Sequence, residues 1–237
     1  MYLLDRDCAG KQSDTRTSQE CDEKENRLNP MTQQYISGSE QVERWFVTTL
    51  AVWAGCAFFA ASTGAISRQN IVGPLAILAT AIPIAIYFLN DRFRAYVNSI
   101  DLKHLTIFHL WRLLAGFTFV AYGQRHLLPS TFVQNAGYGD ILVGLLVPVV
   151  LLLPGGAGKY LVFHTIGLLD FFLAVGTGIV LTAAGTPRMS NITAYPLVLI
   201  PLLGVPVSGA MHVMALNIAW KQLRKEHCTV TSAIAGS

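Results

Sequence analysis

The chain has 237 residues, 52% hydrophobic and 13% charged, with a mean hydropathy of +0.45, whereas a water-soluble domain carries roughly 25% charged residues. This excludes an ordinary water-soluble enzyme. The net charge of +3 hides an asymmetry, because residues 1–40 hold five basic and eight acidic side chains. Between Trp45 and Ala219 the only carboxylates are Asp91, Asp101, Asp140 and Asp170, too few to balance charge over a solvated surface.

In chain order, residues 1–40 are rich in Asp, Glu, Lys, Gln, Ser and Thr and are expected to be a disordered cytoplasmic tail. The composition shifts at Met31, where MTQQYISGSEQVERW reads as a short lead into a helix, and Met31 is the expected true start. No cleavable signal peptide is read, since the first apolar run begins only near Trp45. Six apolar segments follow, with cores at about 45–63, 71–89, 105–122, 139–153, 160–183 and 194–219, each near the ~20 residues that cross a bilayer core. The fourth is short and carries Pro148, so a tilted, broken or buried helix is expected there. The segments lack the alternation of a membrane barrel and exceed its ~10-residue strands. The predicted architecture is all-α: a six-helix transmembrane bundle over 41–220 and a short cytoplasmic tail over 221–237.

Arg44, Arg92, Arg94, Lys103, Lys159, Lys221, Arg224 and Lys225 fall on one side of these segments, against Arg68, Arg125 and Arg188 on the other. By the positive-inside rule both termini are cytoplasmic. The inside loop NDRFRAYVNSIDLKH mixes Phe93, Tyr96, Val97 and Ile100 with basic residues, which suits an interfacial helix and a solvated loop equally. The outside loop from Gly123 to Gly139 contains Leu127, Leu128, Phe132 and Val133, too apolar for a free loop, so it is expected to re-enter the membrane edge or cap the bundle. Asn135, Gly137 and Gly139 then read as a turn, with Asp140 as helix cap or outer site.

Ionisable residues at membrane depth are functional candidates by default. Counting 1.5 Å per residue from the predicted inner ends places His109 roughly 7 Å deep, Arg112 about 12 Å, His164 near the layer of His109, Asp170 slightly below Arg112 and His212 about 12 Å deep. At 100° per residue His109, Arg112, Gly116 and Gly123 share a stripe of the third helix. His164, Gly167, Asp170, Phe171, Ala174 and Gly178 share a side of the fifth, and Pro201, Ser208 and His212 lie together on the sixth. The third, fifth and sixth helices are therefore expected to pack with Arg112 against Asp170 and three imidazoles one layer nearer the cytoplasm. The pair reads either as a structural lock or as a functional site, and the histidines as interhelical hydrogen-bonding groups or as ligands.

Trp45, Trp53, Trp111, Tyr122, Tyr138, Tyr160, Tyr195 and Trp220 fit an interfacial belt. Cys8, Cys21, Cys56 and Cys228 show neither a disulfide framework nor zinc spacing. Motifs GxxxxGK[ST], GxSxG and HExxH are absent, as are clustered His boxes and a mid-helix lysine, which excludes nucleotide-driven machinery and a retinal Schiff base. The scattered basic residues exclude nucleic acid as a partner.

The run HLWRLLAGFTFVAYGQRHLLPSTFVQNAGYGD from His109 to Asp140, followed by FHTIGLLDFFLAVGTG and YPLVLIPLLGVPVSGAMHV, resembles an uncharacterised family of small bacterial multi-pass membrane proteins. The shared pattern is HxxR, LPxxF, GxGD, GxxD and a Pro-rich stretch ending in His, over roughly residues 90 to 215. The resemblance implies an inner (plasma) membrane location and singles out His109, Arg112, Asp140, Asp170 and His212, but not His164. It supplies no activity.

The leading expectation is small-solute or proton handling at the Arg112, Asp170 and His109, His164, His212 site, with lipid as the surrounding partner. The alternatives are a redox protein in which those histidines hold b-type haem or a metal ion, and a non-catalytic assembly protein, as a homo-oligomer or beside a membrane partner. No nucleophile–base arrangement points to an enzyme.

Overall fold

The computed structural model describes residues 30–65 and 69–235, with side chains over 41–65 and 70–226. The expected tail residues 1–29, together with Arg68, lie outside the described residues, as do the side chains of Cys8, Cys21 and Cys228. The chain divides into two compact units, Met1–Phe46 and Val47–Ser237. The described part of the first is helical from Pro30, so residues 30–40, expected to be disordered, form helix; proline suits a first helical turn because its missing N–H has no helical partner there.

The described residues are helical without strands, and six of their helices are long and apolar enough to cross a membrane: Gln41–Ser62, Asn70–Leu89, Leu102–Gln124, Ser130–Leu152, Ala157–Ala183 and Ile200–Glu226. The helical elements are α1 (Pro30–Ser62), α2 (Gln69–Leu89), α3 (Asp91–Ser99), α4 (Leu102–Phe108), α5 (Trp111–Gln124), α6 (Ser130–Phe132), α7 (Tyr138–Leu152), α8 (Ala157–Ala183) and α9 (Val205–Ala235). Two π-helical turns, Val133–Gly137 and Ile200–Gly204, lead into α7 and α9. The expected tail after residue 220 continues as helix to Ala235.

The loop between the second and third spans contains α3, whose N-terminus is capped by Asn90 Oδ1 accepting from the backbone N–H groups of Arg92 and Phe93, both at 3.0 Å. Phe93 and Val97 are buried. Tyr87 ties three elements at this end: its hydroxyl donates to Asn98 Oδ1 at 2.8 Å and accepts from Asn217 Nδ2 at 3.0 Å.

The segment between the third and fourth spans departs from expectation. The residues predicted to re-enter or cap the bundle are the first turns of the fourth span, which starts at Ser130 after Pro129. Phe132, Val133 and Ala136 bury their apolar side chains with Phe119, Met189, Ile192 and Leu197. A π turn inserts one extra residue without ending the helix, and α7 then runs unbroken through Pro148.

Glycines explain which helices meet. A Cβ on Gly116 would lie 2.6 Å from the Gly137 carbonyl oxygen, on Gly123 2.7 Å from Val133, and on Gly144 2.6 Å from Leu113. The third and fourth spans therefore close on a glycine seam, the close approach that small residues permit in membranes. Gly137, read from sequence as part of a turn, belongs to that seam. The fifth and sixth spans meet where Gly167 leaves room for the His212 ring and Gly209 for Phe171.

Candidate functional site

The third span tightens where its polar residues emerge. Between α4 and α5 the backbone N–H groups of His109, Leu110, Arg112 and Leu113 donate three residues back, to Thr106, Ile107, His109 and Leu110, at 3.0–3.1 Å. This short stretch of 3₁₀ geometry lets His109 and Arg112 point inward, at 0% and 4% exposure.

Arg112 ties three other spans to its own. Its Nε donates to Asp140 Oδ1 at 2.6 Å and its Nη2 to Asp170 Oδ2. Its Nη1 reaches the Gly167 carbonyl oxygen at 3.5 Å and His212 Nε2 at 3.4 Å. The Asp170 carboxylate lies where a Cβ on Gly139 would stand, so that glycine is a requirement of the ion pair. One guanidinium thus serves two carboxylates, Asp140 buried and Asp170 partly so, and Asp140 Oδ2 has no hydrogen-bond partner among the described residues. With both carboxylates ionised, the trio holds one uncompensated negative charge.

The imidazoles form a directed chain. Thr106 donates to the Leu102 carbonyl oxygen at 2.8 Å, leaving its oxygen to accept from His164 Nε2 at 3.3 Å. His164 Nδ1 then accepts from His212 Nδ1 at 3.0 Å, and His212 Nε2 accepts from Arg112. The assignment follows from the network, because a guanidinium offers only donors and sets the direction at its end. A proton relay cannot run through Arg112, since it has no lone pair to receive a proton. His109 stacks on His212 at a centroid distance of 3.9 Å and 11° between planes; neither of its ring nitrogens has a partner among the described residues.

Ligand atoms of His109, His164 and His212 lie within 4.8 Å of one another, close enough to test as a ligand set. Imidazole lone pairs lie in the ring plane, so two nearly parallel rings in stacking contact cannot aim at one ion. Haem fits no better, because axial ligands need a plate-wide gap between them where these rings touch. As arranged, the three rings suit packing and hydrogen bonding, and ligation requires at least one to turn.

Beside the cluster lies a cavity of about 370 Å³. Its walls include Val72, Phe119, Phe132, Ala174, Ile179 and Met189, and its polar lining is supplied by Trp111, Arg112, Asp140 and Ser208 with Asn70 and Thr182. The Trp111 indole fills the space a Cβ on Gly204 would need, and its Nε1 donates to Ser208 Oγ at 2.9 Å.

Of the residues singled out by sequence, the structure gathers His109, Arg112, Asp140, His164, Asp170 and His212. Asp140 is not a helix cap: the helix continues through Gly137 into α7, and the carboxylate turns to Arg112. Asn135 lies away from the cluster in the π turn, donating from Nδ2 to Thr177 Oγ1 at 3.0 Å. Trp111, assigned to the interfacial belt, instead lines the cavity. Its place beside Arg112 in the middle of an apolar segment was the available signal. Thr106 and the pairing role of Ser208 had none.

Fold and site together define an all-helical protein with six potential membrane-crossing helices and an ion cluster beside a mainly apolar cavity. The chain belongs to the family described as domain of unknown function DUF8737, which matches residues 69–219 and so contains the whole cluster. Neither a curated protein nor a solved structure matches the chain.

Proposed function

We propose that this is a multi-pass protein of the bacterial inner membrane, with both termini cytoplasmic, that takes a small solute into its intramembrane cavity as part of transport. The observation that carries the reading is the Arg112–Asp140–Asp170 trio, of which Arg112 and Asp140 are buried and line a mainly apolar cavity. A purely structural lock needs one carboxylate per guanidinium; the second, with an open oxygen, adds desolvation cost that packing does not require. Lipid surrounds the bundle, consistent with exposed Leu114, Leu142, Leu169 and Phe172.

Liposomes carrying the protein and a trapped pH dye test coupled proton movement. With benzyltrimethylammonium added outside as the probe solute, wild type should dissipate an acidic-inside gradient faster than empty liposomes given the same addition, and Asp170→Asn or Gly178→Leu should remove the excess at equal incorporation. Gly178 suits a blocking substitution because a Cβ there meets only Phe132 at 3.4 Å and Met189 at 3.8 Å, so a longer side chain enters the cavity. Unchanged flux in both variants overturns the reading. Proximity of the three imidazoles supports a second reading, metal ligation after a ring turns; stoichiometric metal in purified protein, lost in His164→Ala, would establish it.

A further inference from the structure

The cavity has an electrostatic bias that limits what can enter. Arg112 already donates from all three of its nitrogens, so an anionic head group would displace a carboxylate or add a second uncompensated negative charge. Neither is favourable in a low-dielectric interior. Asp140 is 6% exposed, lines the cavity and keeps Oδ2 open. Independently, the lining includes the aromatic rings of Trp111, Phe119, Phe132 and Phe171, whose faces attract cations most strongly away from water. No charged residue other than Arg112 and Asp140 lines the cavity among the described residues.

From this geometry we infer that the cavity takes an amphipathic organic cation of single positive charge, an ammonium-type head on an apolar body, in exchange for one proton. The inference rests on the solute-binding reading above and names the class of solute. The groups facing Asp140 are Arg112 from the third span and, through it, Asp170 from the fifth. Behind Arg112 stand His109, His164 and His212, with His164 and His212 committed to the donor chain. The empty trio is balanced by a proton on its carboxylates. When the cation pairs with the Asp140 carboxylate, that proton leaves to water, and the net charge of the site stays at zero. The apolar body then lies along Val72, Ala174 and Ile179.

Purified full-length protein in nanodiscs tests this by calorimetric titration with three probes of one shape: benzyltrimethylammonium, its neutral isostere neopentylbenzene, and phenylmethanesulfonate. The cation should bind at least roughly tenfold more tightly than the isostere. Its affinity should rise by about tenfold per pH unit while one proton is displaced, and buffers of different ionisation heat should report close to one proton released. Asp140→Asn and Asp170→Asn each leave a balanced pair, so either should lower cation binding to the level of the isostere and cancel proton release. Gly178→Leu should weaken cation and isostere alike. Circular dichroism and melting confirm that each variant is folded. Isostere or sulfonate binding equal to the cation, or cation binding without proton release, overturns the exchange inference and leaves the solute-binding reading standing. Failure of all three probes to bind folded wild type overturns both.

Discussion

At Asp140 a carboxylate follows a glycine at the head of an apolar run, but the helix already continues through Gly137, so no free N-terminus is left to cap and the carboxylate turns to Arg112. A charge-assisted hydrogen bond in a buried setting is roughly twice as strong as a neutral one. The same bookkeeping separates two substitutions. Arg112→Ala leaves one buried and one partly buried carboxylate without a cation and should destabilise the fold by about 3–5 kcal/mol, seen as loss of most folded protein in a detergent melt. Asp140→Asn leaves Arg112 matched with Asp170, so its melt should shift little, with a change within about 1 kcal/mol. Equal damage from both would show that the trio is an indivisible structural lock. His109 is the counterexample at this scale, a buried imidazole held by ring contacts with His212, Phe163 and His164 and by no side-chain hydrogen bond.

Among elements, glycine positions carry the argument. The third span was expected to present its His109, Arg112, Gly116 and Gly123 stripe to the fifth and sixth helices; its glycines instead close on the fourth span while the polar pair reaches the others. Gly139→Ala would drive a methyl group into the Asp170 carboxylate, and Gly167→Ala one into the His212 ring. Each should destabilise by roughly 1–3 kcal/mol or displace its partner. Gly178→Ala meets only ordinary contacts and should melt like wild type. A melt in which all three behave alike would show that these close approaches are absent in solution. The spans themselves were legible in sequence because continuous apolar length is a strong, local signal. The 3₁₀ turn before Arg112 and the two π turns were not, because such distortions answer to neighbours from other spans.

For the whole molecule, the basic residues that set the expected orientation remain an argument from charge, and labelling tests it. In a variant whose four native cysteines are replaced by serine, Arg125→Cys should react with a membrane-impermeant maleimide on intact cells. Lys103→Cys should react only after permeabilisation. Both positions are exposed, and the reverse pattern would invert the topology. The matched family region covers the second to fifth spans and the sixth as far as Ala219, together with every member of the polar cluster.

Hydropathy and charge sufficed for an all-helical chain with six long apolar segments, and depth counting sufficed to bring Arg112 near Asp170 and the histidines near one another, because both quantities are periodic and local along a helix. Tertiary structure alone decided that Asp140 joins Arg112, that Trp111 leaves the interface for the cavity, and that His109 and His212 stack in nearly parallel planes. Those outcomes depend on how closely separate helices approach, a distance set by glycines and side chains remote in sequence.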